Sequence, residues 1–207
     1  MKTSATRCLI AAMALSPAMA SADWSANVGY TSEYIFRGIT QKTSSASAGI
    51  DFQQGSFYAG SWAADVGDGL EVDGYFGYGF ELSEDTSLSI GATGYFYTGD
   101  FDDTYLEVNL GAAFALFSVD VALGEYENFA GPTLDYSFTS VSAEHNGFSA
   151  TLGSFGQDFD GEYLELGYAT SIADWDVGVS LVASNSDLVG PGGDETILFS
   201  IGRGFEL

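Results

Sequence analysis

One cysteine, one histidine, three prolines and five basic residues are spread over 207 residues. Each scarcity closes a class of function. Cys8 stands near the start, ahead of an apolar run, and no cysteine follows it. Disulfides, thiolate metal sites and thiol nucleophiles are thereby excluded from the rest of the chain. Five Lys and Arg face 29 Asp and Glu, a net charge of −24 at pH 7. Phosphate would be repelled, so nucleic acid is excluded as a partner. Beyond the N-terminal segment no run of about 18 apolar residues exists, which excludes membrane-spanning helices. What is abundant is glycine (27), phenylalanine (16) and tyrosine (12), poor material for helices and good material for strands.

The first 22 residues read as an export signal. Lys2 and Arg7 give a basic start, Leu9 to Leu15 is an apolar run too short to cross a bilayer, and Ala18-Met19-Ala20 or Ala20-Ser21-Ala22 supplies small residues for cleavage. Residues 1–22 are therefore expected to direct the chain through the inner membrane, leaving 23–207 as a single domain. Only Arg37, Lys42 and Arg203 then remain basic, against all 29 acidic residues. That imbalance fits a cation-favouring lumen, and equally a solvated surface in a saline habitat.

From Trp24 onward one pattern recurs: a short stretch alternating apolar and polar residues, then a small turn. Leu70, Val72, Phe76, Tyr78, Phe80 and Leu82 share one phase, and Glu71, Asp73 and Glu81 occupy the other. Because strand side chains alternate between faces, one face is oily and the other acidic. Twelve strands are expected, near 24–36, 45–53, 57–66, 70–82, 86–97, 103–116, 118–126, 133–144, 148–156, 162–172, 175–184 and 195–205. In the eighth, Leu134, Tyr136 and Phe138 are out of phase with Val141 and Ala143, which predicts a bulge near Thr139. Connections after even-numbered strands are tight. Those after odd-numbered strands are often longer, as across 37–44, 126–132 and 185–194. Short turns at one end and longer loops at the other are the habit of outer-membrane barrels, with both termini on the short-turn, periplasmic side.

Aromatics fall where interfacial girdles belong: Trp24, Phe52, Phe80, Phe148, Trp175 and Phe205 at the periplasmic end, Tyr34, Phe36 and Phe96 at the outer end. The pattern therefore predicts an all-β fold, a closed antiparallel transmembrane outer-membrane β-barrel of about twelve strands. Strands ~4.8 Å apart and tilted about 40° give it a backbone radius of roughly 12 Å. Small residues expected to face inward (Gly49, Ala59, Gly77, Gly91, Gly111, Gly153, Gly167, Gly178) argue for an interior that is not fully packed.

Candidate functional residues follow from the inward phase. Asp100-Phe101-Asp102-Asp103-Thr104-Tyr105-Leu106-Glu107 and Asp158-Phe159-Asp160-Gly161-Glu162-Tyr163-Leu164-Glu165 are two copies of one loop-to-strand unit. They place Glu107 and Glu165 beside Glu71, with Asp73 one step deeper, as a ring of carboxylates near the outer mouth, the device by which a pore favours cations. Lumen polarity alone would also account for such residues. Arg37, inward by parity with Glu33, is expected to lock carboxylates through bidentate pairing, in a constriction or as a structural ion pair. Tyr95, Tyr97, Tyr105 and Tyr163 are expected at the mouth, stacking on solutes or anchoring the interface. The aspartate loops lack the glycine and distal glutamate of a calcium loop. No cofactor or metal is expected, and no catalytic residue: His145, the sole histidine, lies in a predicted turn beside Asn146-Gly147.

The segment Trp24 to Gln41, and above all Ser32-Glu33-Tyr34-Ile35-Phe36-Arg37-Gly38-Ile39-Thr40-Gln41, resembles the opening of the TorF-type porins, small proteobacterial outer-membrane proteins. Phe57-Tyr58-Ala59-Gly60-Ser61-Trp62 and Leu70 to Tyr78 support the resemblance, which is distinctive over the first third of the chain and general afterwards. It implies an outer-membrane barrel of porin type, and no particular substrate. Its partners would be outer-membrane lipid and lipopolysaccharide, small solutes or cations, periplasmic chaperones and the outer-membrane assembly machinery. The chain departs from such barrels in ending Gly204-Phe205-Glu206-Leu207, with its aromatic residue two places in from the end. The expected function is passive diffusion of ions or small solutes with cation preference. A lipid- or glycan-modifying or structural barrel without an open pore, and a secreted β-sandwich or adhesin, are the alternatives.

Overall fold

The computed structural model describes residues 22–129 and 131–207. Almost all of residues 1–22, expected to form the export signal, lies outside them. Twelve strands follow one another: β1 (Ala22–Phe36), β2 (Ile39–Gln54), β3 (Phe57–Gly67), β4 (Gly69–Ser83), β5 (Thr86–Tyr97), β6 (Tyr105–Phe114), β7 (Phe117–Tyr126), β8 (Leu134–His145), β9 (Phe148–Gln157), β10 (Glu162–Ile172), β11 (Trp175–Ser184) and β12 (Asp194–Glu206). One helical turn, α1 (Ser186–Val189), precedes the last strand, and Asn185 caps it by accepting from the Leu188 N–H. Each strand pairs antiparallel with its neighbours in sequence, and β1 pairs with β12, so the sheet closes. A closed barrel excludes the β-sandwich.

The alternation drives this closure. In β4 the outward phase carries Leu70, Phe76, Tyr78, Phe80 and Leu82, all exposed on the outer surface, while Glu71 and Asp73 are buried inside. Leu110, Leu123, Leu166, Leu181 and Phe199 extend the apolar exterior around the barrel. Closure leaves no sheet edge, which is what a strand structure surrounded by apolar solvent requires.

Five turns at one end have two residues each: Gly55-Ser56, Glu84-Asp85, Ala115-Leu116, Asn146-Gly147 and Ala173-Asp174. Asn146-Gly147 and Ala173-Asp174 have positive φ at both positions, the twist that matches hairpin strands. At the other end, residues 98–104, 127–133, 158–161 and 185–193 form longer connections. The first connection at that end departs from expectation. Residues 37–44 are not a loop: β1 and β2 continue into it and meet in the two-residue turn Arg37-Gly38.

That extended hairpin turns into the barrel. Pairing of β1 with β12 stops at Thr31 and Ser200, and pairing of β2 with β3 stops at Ser47 and Ala64. Above those points the two arms are laddered only to each other, with a register shift at Tyr34/Ile35. The tip meets the walls all around: Tyr34 packs on Trp62 of β3, Phe36 on Tyr95 of β5, Ile35 on the buried cluster Ala122, Phe138, Tyr163, Val182 and Leu198 of the opposite wall. Tyr34 and Phe36 are therefore plug residues, not members of an outer girdle. The reason is that both arms leave the barrel ladder below them and turn into the lumen, so their side chains meet the inner walls and not lipid.

Two further expectations are corrected. β8 runs through Thr139 without a bulge, in unbroken register with β7 and β9. Tyr136, Phe138 and Ser140 face inward and Val141 outward. The apolar phase changes because the lumen itself is apolar at that level. The small inward residues, second, mark filled space. Tyr163 lies over Gly153, Tyr136 over Gly124 and Tyr58 over Gly77, each ring occupying the place a Cβ would take. Ala59 faces outward, beside Trp24 and Phe52.

Candidate functional site

The lumen toward the loop end is held by a polar network centred on Glu107 of β6. Strand parity sends its side chain inward, and the side chain is 0% exposed. Arg37, at the hairpin tip, approaches from across the barrel and grips it with both terminal nitrogens; Nη2 donates to Oε2 at 3.0 Å and Nη1 to Oε1. Tyr136 Oη donates to Oε1 at 2.7 Å, Tyr95 Oη to Oε2 at 3.1 Å and Asn109 Nδ2 to Oε2 at 2.9 Å. Five donors thus converge on one carboxylate. Charge-assisted hydrogen bonds of this kind are the strong class, and the bidentate fork adds direction. The guanidinium carbon lies 4.3 Å from the Phe138 ring centroid and 4.8 Å from that of Phe36, so the cation sits between two aromatic rings.

Glu71 of β4, 2% exposed, forms a second node. Tyr34 of the hairpin donates to its Oε1, and Tyr97 Oη donates to Oε2 at 3.0 Å. Asp73, one inward step deeper, is 8% exposed and its Oδ1 has no hydrogen-bond partner. Further toward the loops, Asp102 accepts from Tyr105 at 2.9 Å and Tyr126 at 2.7 Å, and those two rings stack at 4.2 Å. The hairpin is tied at three more points: Ser184 Oγ donates to the Gly38 carbonyl at 2.6 Å, Lys42 pairs with Asp65 of β3, and Ser45 Oγ donates to the Asp65 carbonyl at 2.7 Å. Gly38, at φ +82°, lies flat against Tyr163; a Cβ there would sit 2.6 Å from that ring's own Cβ.

Of the predicted site residues, the structure brings together Arg37, Glu71, Asp73, Glu107, Tyr95 and Tyr97, and Tyr105 joins them edge-on through Tyr95. Glu165 stands apart on β10, paired in register with Thr151 and Val182. Tyr163 meets the group through Gly38 at the hairpin tip and through Phe138, on whose ring it stacks at 6.3 Å. The carboxylates form a bonded cluster on one wall, and a solvent-lined ring is not what this state presents. Both oxygens of Glu71 and of Glu107 accept hydrogen bonds, whereas Asp73 retains an unpartnered oxygen. Tyr136, Phe138, Tyr34, Trp62 and Asp102 belong to this network and were not among the predicted site residues. Tyr136 becomes visible in the sequence once β8 is taken as unbroken, because it then shares the phase of Ser140. Asp102 lies within the repeated loop-to-strand unit.

His145 lies at the end of β8 on the two-residue-turn side, where it hydrogen bonds Asn146 at 2.9 Å. It is at the opposite end of the barrel from the network. The aspartates of the two repeated loops cap backbone N–H groups: Asp103 accepts from Phe129, Asp158 from Asp135 and Asp160 from Gly161.

Two solved structures resemble this architecture. A chain from a study of the in-meso crystallization of membrane proteins is 12% identical with a TM-score of 0.54, over 89% of this chain and 84% of that one. The NanC porin is 12% identical with a TM-score of 0.50, over 89% of this chain and 100% of its own. At these identities the likeness concerns the fold. No curated protein matches the sequence. Residues 15–188 match the model of a family described as bacterial protein of unknown function, and the chain belongs to that family, Gcw_chp.

Proposed function

We propose that this chain is a porin-like barrel of the bacterial outer membrane that passes ions or small solutes and prefers cations. The observation that carries this reading is the closed twelve-stranded barrel with an exposed apolar exterior and an acid-bearing interior. An apolar outer surface of this extent needs lipid around it, since water would not tolerate it on a monomer. The two-residue turns and both chain ends then lie on the periplasmic side and the longer loops outside. Trp24, Trp175, Phe148 and Phe205, exposed near the turn end, suit a lipid interface. The resemblance of Trp24 to Gln41 to TorF-type porins and the fold likeness to the NanC porin support the same reading.

Cation preference rests on the excess of carboxylates over cations lining the lumen, with Asp73 uncompensated. A filled outer half favours one rival, a barrel without passage. Two measurements decide. In detergent, unheated protein is expected to migrate differently from boiled protein on a gel; a single unshifted band with free solubility in buffer overturns the membrane assignment. In planar bilayers under a potassium chloride gradient, the reversal potential is expected on the cation side and to move toward zero in Glu71→Gln, Glu107→Gln and Glu165→Gln. Anion preference in the parent protein overturns the selectivity.

A further inference from the structure

The wall around Glu107 holds a planar cation, the guanidinium of Arg37. Its carboxylate is fully buried, and its orientation is fixed by Tyr95, Tyr136 and Asn109, none of which belongs to the hairpin. Phe138, also on the wall, supplies an aromatic face 4.3 Å from the guanidinium carbon. Remove the hairpin, and what remains is a carboxylate aimed for bidentate pairing, above it a flat apolar ring, and beside it Asp73 with an unpartnered oxygen. Those are the parts of a guanidinium site. An ammonium would meet the charge but could fill neither the fork nor the ring face as well.

The present occupant is tethered. Arg37 stands at the tip of a hairpin whose backbone is not laddered to β12 or β3 over residues 32–46, and which crosses the lumen to deliver it, held to β3 and β12 there by side-chain contacts alone. An isolated two-stranded hairpin is marginal in water, so this one persists through what it docks on. Two of the three basic residues among 23–207 lie on it, Arg37 and Lys42, and each pairs with a carboxylate outside the hairpin.

We infer that the Glu107 cradle recognises a guanidinium or amidinium group, that Arg37 occupies it as an internal ligand, and that a solute carrying such a group displaces Arg37 and releases the hairpin from the lumen. This rests on the channel reading above for its consequence, passage, though not for the binding itself. A tether holds its ligand at an effective concentration of about millimolar, so a free solute competes in that range. Asp73 gives the arriving cation a first partner before Arg37 has left.

The test uses the whole protein with guanidinium, tetramethylammonium or potassium, as chlorides at equal millimolar concentration. One readout is bilayer conductance. The other is the emission of Trp62, whose ring lies 5.7 Å from that of Tyr34 on the hairpin, in a Trp24→Phe/Trp175→Phe background. Guanidinium is expected to change Trp62 emission and to raise conductance by roughly tenfold or more, with neither effect from the other two cations. Arg37→Ala is expected to conduct in potassium chloride alone and to gain nothing from guanidinium. Equal responses to guanidinium and tetramethylammonium, or equal conductance of the parent protein and Arg37→Ala in potassium chloride, overturn the inference and leave the channel reading standing. A guanidinium-selective emission change with no conductance under any condition keeps the site and overturns the channel. No emission change and no conductance overturns both. If Arg37→Ala does not fold, the emission titration of the otherwise unaltered lumen decides by itself.

Discussion

The coupling between Arg37 and Glu107 can be predicted in magnitude. Replacing Arg37 with alanine strips the buried Glu107 of the counter-charge it has among the described residues, while Tyr95, Tyr136 and Asn109 remain hydrogen bonded to it. Breaking one side of a buried ion pair costs about 3–5 kcal/mol. Three surviving donors to a charged group, each worth about 1.5–3 kcal/mol, keep the carboxylate partly solvated, so the cost of Arg37→Ala falls at the lower end, about 3 kcal/mol. Glu107→Ala is more severe, because it strands the guanidinium and leaves three wall donors without their acceptor. Expected cost is about 4–5 kcal/mol. In the double variant the pair is already gone, so removing Arg37 adds little, and the coupling from the full cycle is about 2–3 kcal/mol. Urea unfolding of all four proteins in lipid vesicles, followed by tryptophan emission, measures it. A coupling below about 0.5 kcal/mol, the range of exposed pairs, would refute buried contact between the hairpin and β6.

Three other perturbations address separate parts of the structure. Phe76→Arg, halfway along β4 on the outer face where the ring is 57% exposed, is expected to cost about 2–4 kcal/mol in vesicles; no loss would mean that this face does not meet lipid. Gly124→Val places a side chain where the Tyr136 ring lies and is expected to cost about 1–3 kcal/mol by overpacking, whereas Gly74→Val, with open space at its Cβ, should leave the urea midpoint unchanged. Equal effects of the two would contradict a filled lumen. Tyr34→Phe deletes one donor to Glu71 and is expected to speed amide exchange across residues 32–46 with the barrel strands unaffected; uniform protection in both segments would show that the hairpin is not a separate unit.

The strands were legible because lipid and lumen select opposite residue types. Leu70 to Leu82 gives both faces in one reading, and the two-residue turns declare themselves through Asn146-Gly147 and the compact gaps between alternating runs. The plug was not legible, and the reason is local. Thr40 to Ser45 carries no apolar phase, because neither face of that arm meets lipid, so it looks like a loop. Tyr34 and Phe36 sit at a strand end, where aromatics ordinarily mark an interface, and nothing in composition reports that both arms leave the barrel ladder beyond Thr31 and Ser47 and carry them inward. In β8 the same ambiguity arose from the other side: Tyr136 and Phe138 are apolar and inward because the outer half of the lumen is packed. The carboxylate cluster was found through the phase of Glu71, Asp73 and Glu107, but phase gives a wall and a height, not partners. Glu165 has the right phase and height on the wrong wall.

The charge distribution ties the hairpin to the lumen more closely than packing alone does. In the interior a bare carboxylate is costly, and the wall holds Glu71, Asp73 and Glu107 within one network. Neutral donors reduce that cost without cancelling charge; cancellation comes from Arg37, whereas Lys42 pairs with the partly exposed side chain of Asp65 at the hairpin's other side. Withdrawing the hairpin therefore removes positive charge from a region that keeps its negative charge, and the deficit is smallest if another cation enters as Arg37 leaves. Plug release and cation entry are thereby linked: whatever favours one favours the other by the same free energy. A neutral solute shifts this equilibrium only by its own differential affinity for the open lumen, and it leaves the charge on Glu107 uncompensated. For this barrel, preference among solutes would be set at the step of opening, by what can stand in for Arg37 on Glu107, before the width of the lumen is tested.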